Sequence, residues 1–295
     1  MKRTPAPTTS QANVLFFLAA VVTLASSIVF APRLGIGTNL WINEFVYILL
    51  PPLLLATVQG WSLEEVYRLK DTSTRNRLLS LLAGVSLWFT AFYLSTLTRH
   101  FLDAKLGVIA SEAPAVHSSL YQTLLLLLGM VVLAPICEEF YFRGFVQAAY
   151  ERYSPRYGFV IAGVLFGSYH ILNGLTEVVP ASMLGVAMGY LVYKTNSLAT
   201  SMLFHMAANA SSILFGGVLG LSTASVMPSW THFVALGGLV LTLVLLRSVD
   251  GQPQQHQPRA EEKMSPRGIL FLVLTILFFL AAGAAEIAAR LGVVG

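Results

Sequence analysis

The chain has 295 residues, of which 56% are hydrophobic and only 11% charged, and its mean hydropathy is +0.71. A soluble domain carries about 25% charged residues, so this composition excludes a water-soluble globular enzyme, a disordered chain and a coiled coil, and leaves an all-α polytopic membrane protein. The single cysteine, Cys137, excludes a disulfide framework and a multi-cysteine metal site. The net charge of +4 comes with no basic cluster interleaved with stacking aromatics, so no nucleic-acid partner is expected.

A membrane-crossing helix needs about 20 mostly apolar residues, each rising about 1.5 Å through a hydrocarbon core about 30 Å thick. Nine segments meet or approach that requirement, at roughly 13–32, 41–59, 78–98, 121–150, 158–174, 177–194, 197–218, 231–247 and 268–290. The first follows Lys2 and Arg3 but is long for a signal peptide and reads as a retained helix. Glu44 opens the second and is expected at the membrane interface. The stretch 248–267, with Asp250, Pro253, Pro258, Glu261 and Glu262, reads as a polar linker. The expected organisation is a core of eight helices over 1–247, the linker, and an appended ninth helix within 268–295.

With the N-terminus inside, the cytoplasmic positions hold Lys2, Arg3, Arg68, Lys70, Arg75, Arg77, Arg152, Arg156, Lys194, Arg247, Arg259, Lys263 and Arg267. The outer positions hold Arg33, Arg99, Lys105 and Arg290, a ratio of 13 to 4, with Arg143 inside a helix. Cytoplasmic loops carry the excess of Lys and Arg, so the basic balance predicts a cytoplasmic N-terminus. Short loops and the absence of organelle signals predict a multi-pass protein of a prokaryotic plasma membrane.

A charged side chain at the centre of a membrane helix costs about 2.5–3.5 kcal/mol on insertion scales, and the fourth segment carries three in the run Glu138-Glu139-Phe140-Tyr141-Phe142-Arg143. Glu139 and Arg143, four apart, share a helix face and can neutralise each other. Glu138 points about 100° away, with no local partner. A carboxylate deprived of water and of a counter-charge is a stronger base, which suits proton abstraction near neutral pH. The fifth segment carries Phe166-Gly-Ser-Tyr169-His170, and the seventh His205-Met-Ala-Ala-Asn209, an imidazole and an amide one turn apart. Counted from the expected cytoplasmic helix ends at about 1.5 Å per residue, Glu138, His170, His205 and Asn209 lie about 18, 20, 14 and 20 Å deep. Polar groups in one dry layer must satisfy one another, so one cluster is expected, with Tyr141, Phe142 and Phe166 packed around it. Elsewhere Glu286 is placed to pair with Arg290, Asn173 and Glu177 read as an external turn, and His100, His117, His232 and His256 fall at segment ends or in loops.

Glu138-Glu139-x-x-x-Arg143, Phe166-x-x-x-His170 and His205-x-x-x-Asn209, in that order over 121–218, resemble the motifs of the CPBP family of intramembrane proteases, also called CAAX-processing and bacteriocin-processing or ABI proteins. The resemblance implies an eight-helix core and endopeptidase activity on membrane-anchored protein or peptide substrates within the lipid bilayer. It makes Glu138 the general base, holding water with His170, and makes His205 and Asn209 the oxyanion donors, with Glu139 and Arg143 fixing the helix face.

Glu138, His170 and His205 also resemble a Glu-His₂ zinc set, but they come from three helices without the compact His-Glu-x-x-His pair. A glutamate-dependent mechanism with no required cofactor is the favoured expectation, and divalent zinc held by those three residues is the alternative. Two other functions stand beside proteolysis: a proton-coupled transporter using the same buried groups, and a catalytically silent scaffold or immunity member of the family. Such transporters usually show repeated or Gly/Pro-broken helices in both halves, whereas the polar residues here cluster in 138–209 with no counterpart in the first 120 residues, and the intact motifs argue against the silent scaffold.

Overall fold

A computed structural model of the chain describes residues 6–109, 119–218, 229–251 and 263–293. Most of the 248–267 linker lies outside these, as do His117 and His256. The described residues form nine principal helices: α1 (Thr9–Val29), α2 (Ile36–Val58), α3 (Thr74–Leu106), α4 (Leu120–Tyr153), α5 (Gly158–Asn173), α6 (Leu175–Thr195), α7 (Leu198–Val218), α8 (Trp230–Ser248) and α9 (Pro266–Arg290). All but α5 are long and apolar enough to cross a bilayer, and the chain is an all-α polytopic membrane protein. The fifth segment, expected to span, is the exception. At about 24 Å it is shorter than the hydrocarbon core, and its last turn, His170–Asn173, tightens into a 3₁₀ helix before Gly174.

Hydroxyl side chains start the helices by satisfying otherwise orphaned backbone N–H groups. Thr8 and Gln11 form a reciprocal capping box on α1, while Ser73, Ser119 and Ser265 cap α3, α4 and α9. Between helices, small residues replace the hydrophobic drive that lipid removes. Ser86 and Thr242 share a 2.7 Å hydrogen bond between α3 and α8, and Thr90 donates to Ala235 O.

α5 and α6 approach so closely that a Cβ at Gly163 would stand 2.5 Å from Val186 N, and one at Gly185 2.6 Å from Gly163 O. At the centre, buried Phe16 of α1 meets Phe142 of α4 at 5.7 Å, Tyr169 of α5 at 6.1 Å and Phe279 of α9 at 5.8 Å.

The ninth helix, expected as an appendage, is held at both ends. Asn13 Nδ2 donates to Gly268 O at 2.9 Å and Phe17 packs on Phe271. At the other end Arg290 pairs with Asp103 and, as the spacing predicts, with Glu286, whose other oxygen accepts from Leu175 N–H at the start of α6. Glu177, placed in a turn by sequence, lies in the first turn of α6 and accepts from Ser95.

Overpacked membrane interfaces have no slack, and an inserted side chain costs about 1–3 kcal/mol or more. Gly163→Val is expected to lower the midpoint of thermal unfolding in detergent by forcing α5 from α6; an unchanged midpoint would show that the two backbones do not depend on this contact.

Candidate active site

α4 carries the site because proline and π-helical turns shape it. Pro135 has no N–H, and its ring crowds the carbonyl four residues back. The helix widens over Gly129–Leu133 just before it, with Ala134 N–H reaching back to Gly129 O. Met130 O is thereby left without a helical donor, and Asn209 Nδ2 of α7 donates to it at 2.8 Å. α2 repeats the device, widening over Asn43–Leu49 ahead of Pro51 and Pro52. A third wide stretch, Phe140–Val146, follows Glu138 and Glu139 at once. Such π-turns occur frequently at functional sites.

Glu139 and Arg143 are wholly buried and pair at 2.8 Å. Arg143 Nη2 also donates to Gly185 O at 3.1 Å, and its guanidinium lies 4.3 Å from the Phe166 ring centroid. One turn on, Gln147 Nε2 donates to Gly189 O and to Glu151, and Glu151 forms an ion pair with Arg68. Positions 139, 143, 147 and 151 thus make one polar stripe along α4, with Arg143 and Gln147 donating to α6.

Glu139 has a further partner that its spacing did not reveal. His205 of α7 stands 3.0 Å from Glu139 Oε1 through Nδ1. Its other nitrogen, Nε2, is 3.7 Å from Glu138 Oε2. Glu138, expected to have no partner on its own helix, faces an imidazole of α7, at ion-pair distance and beyond direct hydrogen-bond reach. Its side chain keeps 12% exposure where that of Glu139 has none, so the first glutamate is the reachable one.

His170 sits at the end of the α-helical part of α5, with Nδ1 2.9 Å from Phe166 O. A carbonyl only accepts, so Nδ1 carries a proton, and in the neutral ring Nε2 then keeps its lone pair. The Phe166 ring lies 4.5 Å from the His170 ring and 5.7 Å from that of His205, separating the two imidazoles. All six predicted residues are therefore joined: Glu138, Glu139, Arg143 and His205 through polar contacts, His170 through Phe166, and Asn209 one turn from His205. Tyr141, Phe142 and Phe166 are buried around them, as expected, and Cys137 is buried beside them.

Glu44 departs from its sequence reading. It is buried within the protein, 3% exposed, and accepts from Asn43 Nδ2, where the sequence reading expected an interfacial position. The signal was available: a carboxylate inside an apolar segment that also contains Asn43. Among the described residues no group of three or more His, Cys, Asp or Glu side chains is placed to hold a metal ion.

An all-α membrane bundle with a carboxylate, two imidazoles and an amide gathered from three helices has the parts of a hydrolytic site. Residues 120–211, from the start of α4 through most of α7, match the family model described as type II CAAX prenyl endopeptidase, Rce1-like. The matched stretch contains all three of the motifs that resemble those of the CPBP proteases. No match was found among curated proteins or among solved structures.

Removing one member of a buried ion pair leaves the other charge uncompensated, at a cost of about 3–5 kcal/mol. Arg143→Met is expected to lose stability on that scale in detergent unfolding, and the double variant Glu139→Gln/Arg143→Met to recover part of it. A double variant no more stable than Arg143→Met would show that the charge on Glu139 is not the source of the loss.

Proposed function

We propose that the chain is an intramembrane endopeptidase that hydrolyses peptide bonds of membrane-anchored protein substrates, with water activated by Glu138 and His170. The observation that carries this reading is the unequal treatment of the two adjacent glutamates. Glu139 is neutralised by Arg143 and occupied by His205, whereas Glu138 is partly exposed and its carboxylate has no cation of its own among its hydrogen-bond partners. In this reading Glu138 and His170 Nε2, both acceptors, take the two hydrogens of one water, and Glu138 receives the proton as the water oxygen attacks the carbonyl carbon.

The tetrahedral oxyanion requires donors. With Nδ1 given to Glu139, the His205 atom left for the reaction is Nε2, which donates when the ring is protonated. Asn209 Nδ2 has two hydrogens and spends one on Met130 O; the second is free for the oxyanion. An oxyanion donor is worth about 3 kcal/mol in such a site, and the Met130 contact holds the amide in place before substrate arrives. The pathway uses no metal.

Loss of a general base lowers rate by about 10²–10⁴-fold. In detergent, Glu138→Gln and His170→Ala are each expected to lose cleavage of membrane-anchored peptides on that scale, with wild-type cleavage insensitive to a strong chelator. Variants that cut as fast as wild type would overturn the site, and activity removed by chelator and restored by zinc would overturn the metal-free mechanism.

The charge distribution also supports a cytoplasmic N-terminus. In a Cys137→Ala background, Lys70→Cys is expected to be labelled by an impermeant thiol reagent from the cytoplasmic side and Lys105→Cys from the outer side. The reverse pattern would invert the topology.

A further inference from the structure

α9 gives no group to the reaction, yet it packs on the turn that carries His170. α5 is short: at about 24 Å it ends before a hydrocarbon core about 30 Å thick is crossed. His170 opens the 3₁₀ turn, His170–Asn173, that closes it, and Gly174 at φ +124° leads the chain into α6. The first N–H groups of a helix have no partner within it, and Gly174 has no side chain with which to cap them. In a membrane such a group must be satisfied by protein.

The partner comes from α9. Glu286 Oε2 accepts from Leu175 N–H at 2.6 Å. One turn earlier on the same helix face, Gly283 makes room for Ile171, whose Cδ1 would lie only 3.1 Å from a Cβ at 283. Ile171 adjoins His170, so α9 holds the turn at both of its ends. Glu286 is itself fixed. Its Oε1 accepts from Arg290 Nε at 2.9 Å, and Arg290 Nη1 donates to Asp103 Oδ1 at 2.7 Å and to Gly107 O at 3.2 Å, at the end of α3. A carboxylate bound at both oxygens is a strong and well-aimed acceptor. The His170 ring has its own hydrogen bond to Phe166 O, which orients the imidazole on α5. That bond does not fix the residue's backbone, which stands where the helix passes from α to 3₁₀.

We propose that Glu286 is a positioning residue: by holding the α5–α6 turn against α9, it fixes where His170 presents Nε2. This rests on the reading of His170 as a holder of the attacking water. Glu286 touches no reacting atom and acts through the turn alone. A misplacement of about 1 Å at a catalytic group costs about 100-fold in rate, so the loss of this hold is felt in kcat and not in substrate binding.

The test compares two variants of the full chain in detergent, each lacking one interhelical hydrogen bond at the start of α6. Glu286→Ala frees Leu175 N–H and leaves Arg290 on Asp103; Ser95→Ala frees Glu177 from α3. On a membrane-anchored peptide that the wild type cleaves, kcat of Glu286→Ala is expected to fall about 100-fold with KM near wild type, and kcat of Ser95→Ala to stay near wild type. Backbone hydrogen exchange over 171–175 is expected to quicken in Glu286→Ala alone. A wild-type kcat in Glu286→Ala, an equal loss in Ser95→Ala, a loss carried by KM, or unchanged exchange would overturn the assignment. Should Glu286→Ala fail to fold, Leu175→Pro deletes the same hydrogen bond from the other side, because proline lacks the N–H and suits the first position of a helix. The same kcat loss then supports the proposal, and a wild-type kcat overturns it. His170→Ala separates this assignment from the reading beneath it. If that variant cuts at the wild-type rate, the role of His170 fails and the positioning role with it; if it is slow while Glu286→Ala is fast, only the positioning role fails.

Discussion

The buried Glu139–Arg143 pair is the interaction on which the site depends. Neither charge has access to water, so each depends on protein atoms, and beyond their own pairing the atoms they hold come from other helices. Glu139 holds His205 of α7, while Arg143 holds Gly185 O of α6 and lies on Phe166 of α5. One ion pair thereby gathers four helices, and it does so in a medium where apolar contact between helices has no hydrophobic advantage over contact with lipid. The close α5–α6 approach at Gly163 and Gly185 serves the same end, because it brings the accepting carbonyl within reach of the guanidinium.

Backbone irregularity does the rest. A regular helix would satisfy Met130 O internally and leave Asn209 without an anchor; Pro135 and the widened turn before it release that carbonyl for α7. The same combination of wide turn and proline recurs in α2, where it accompanies Asn43 and Glu44, and both wide turns border the cluster. In a bilayer an unpaired carbonyl is tolerated only where another group takes it, so each break in the regular helix ladder creates a demand for a specific partner. That demand ties α7 to α4 through Asn209 and Met130 O.

Much of this was legible in one dimension. Hydropathy located all nine helices, the four-residue spacing paired Glu139 with Arg143 and Glu286 with Arg290, and three motifs on three apolar segments announced a single cluster. Other features were not legible, for identifiable reasons. Spacing shows neighbours on one helix only, so His205 as the second partner of Glu139, and as the group facing Glu138, could not be seen. For Glu44 the signal was present, a carboxylate beside Asn43 in an apolar segment, but its place near the segment's start favoured a solvated reading. The ninth helix looked detached because the linker before it is polar, yet a linker's composition says nothing of where the next helix packs.

By itself, then, the sequence determined the all-α membrane class, the helices and the residues able to carry the chemistry, because apolar length and the cost of burying charge are properties of local composition. Only the tertiary structure decided which glutamate is buried in an ion pair and which keeps some exposure, which nitrogen of each imidazole is engaged by a hydrogen bond, and that Glu44 is buried. Those outcomes depend on contacts between helices distant in the chain, such as His205 with Glu139, Asn209 with Met130 and Thr23 with Asn43, and hydrogen bonds of a given geometry are set by packing.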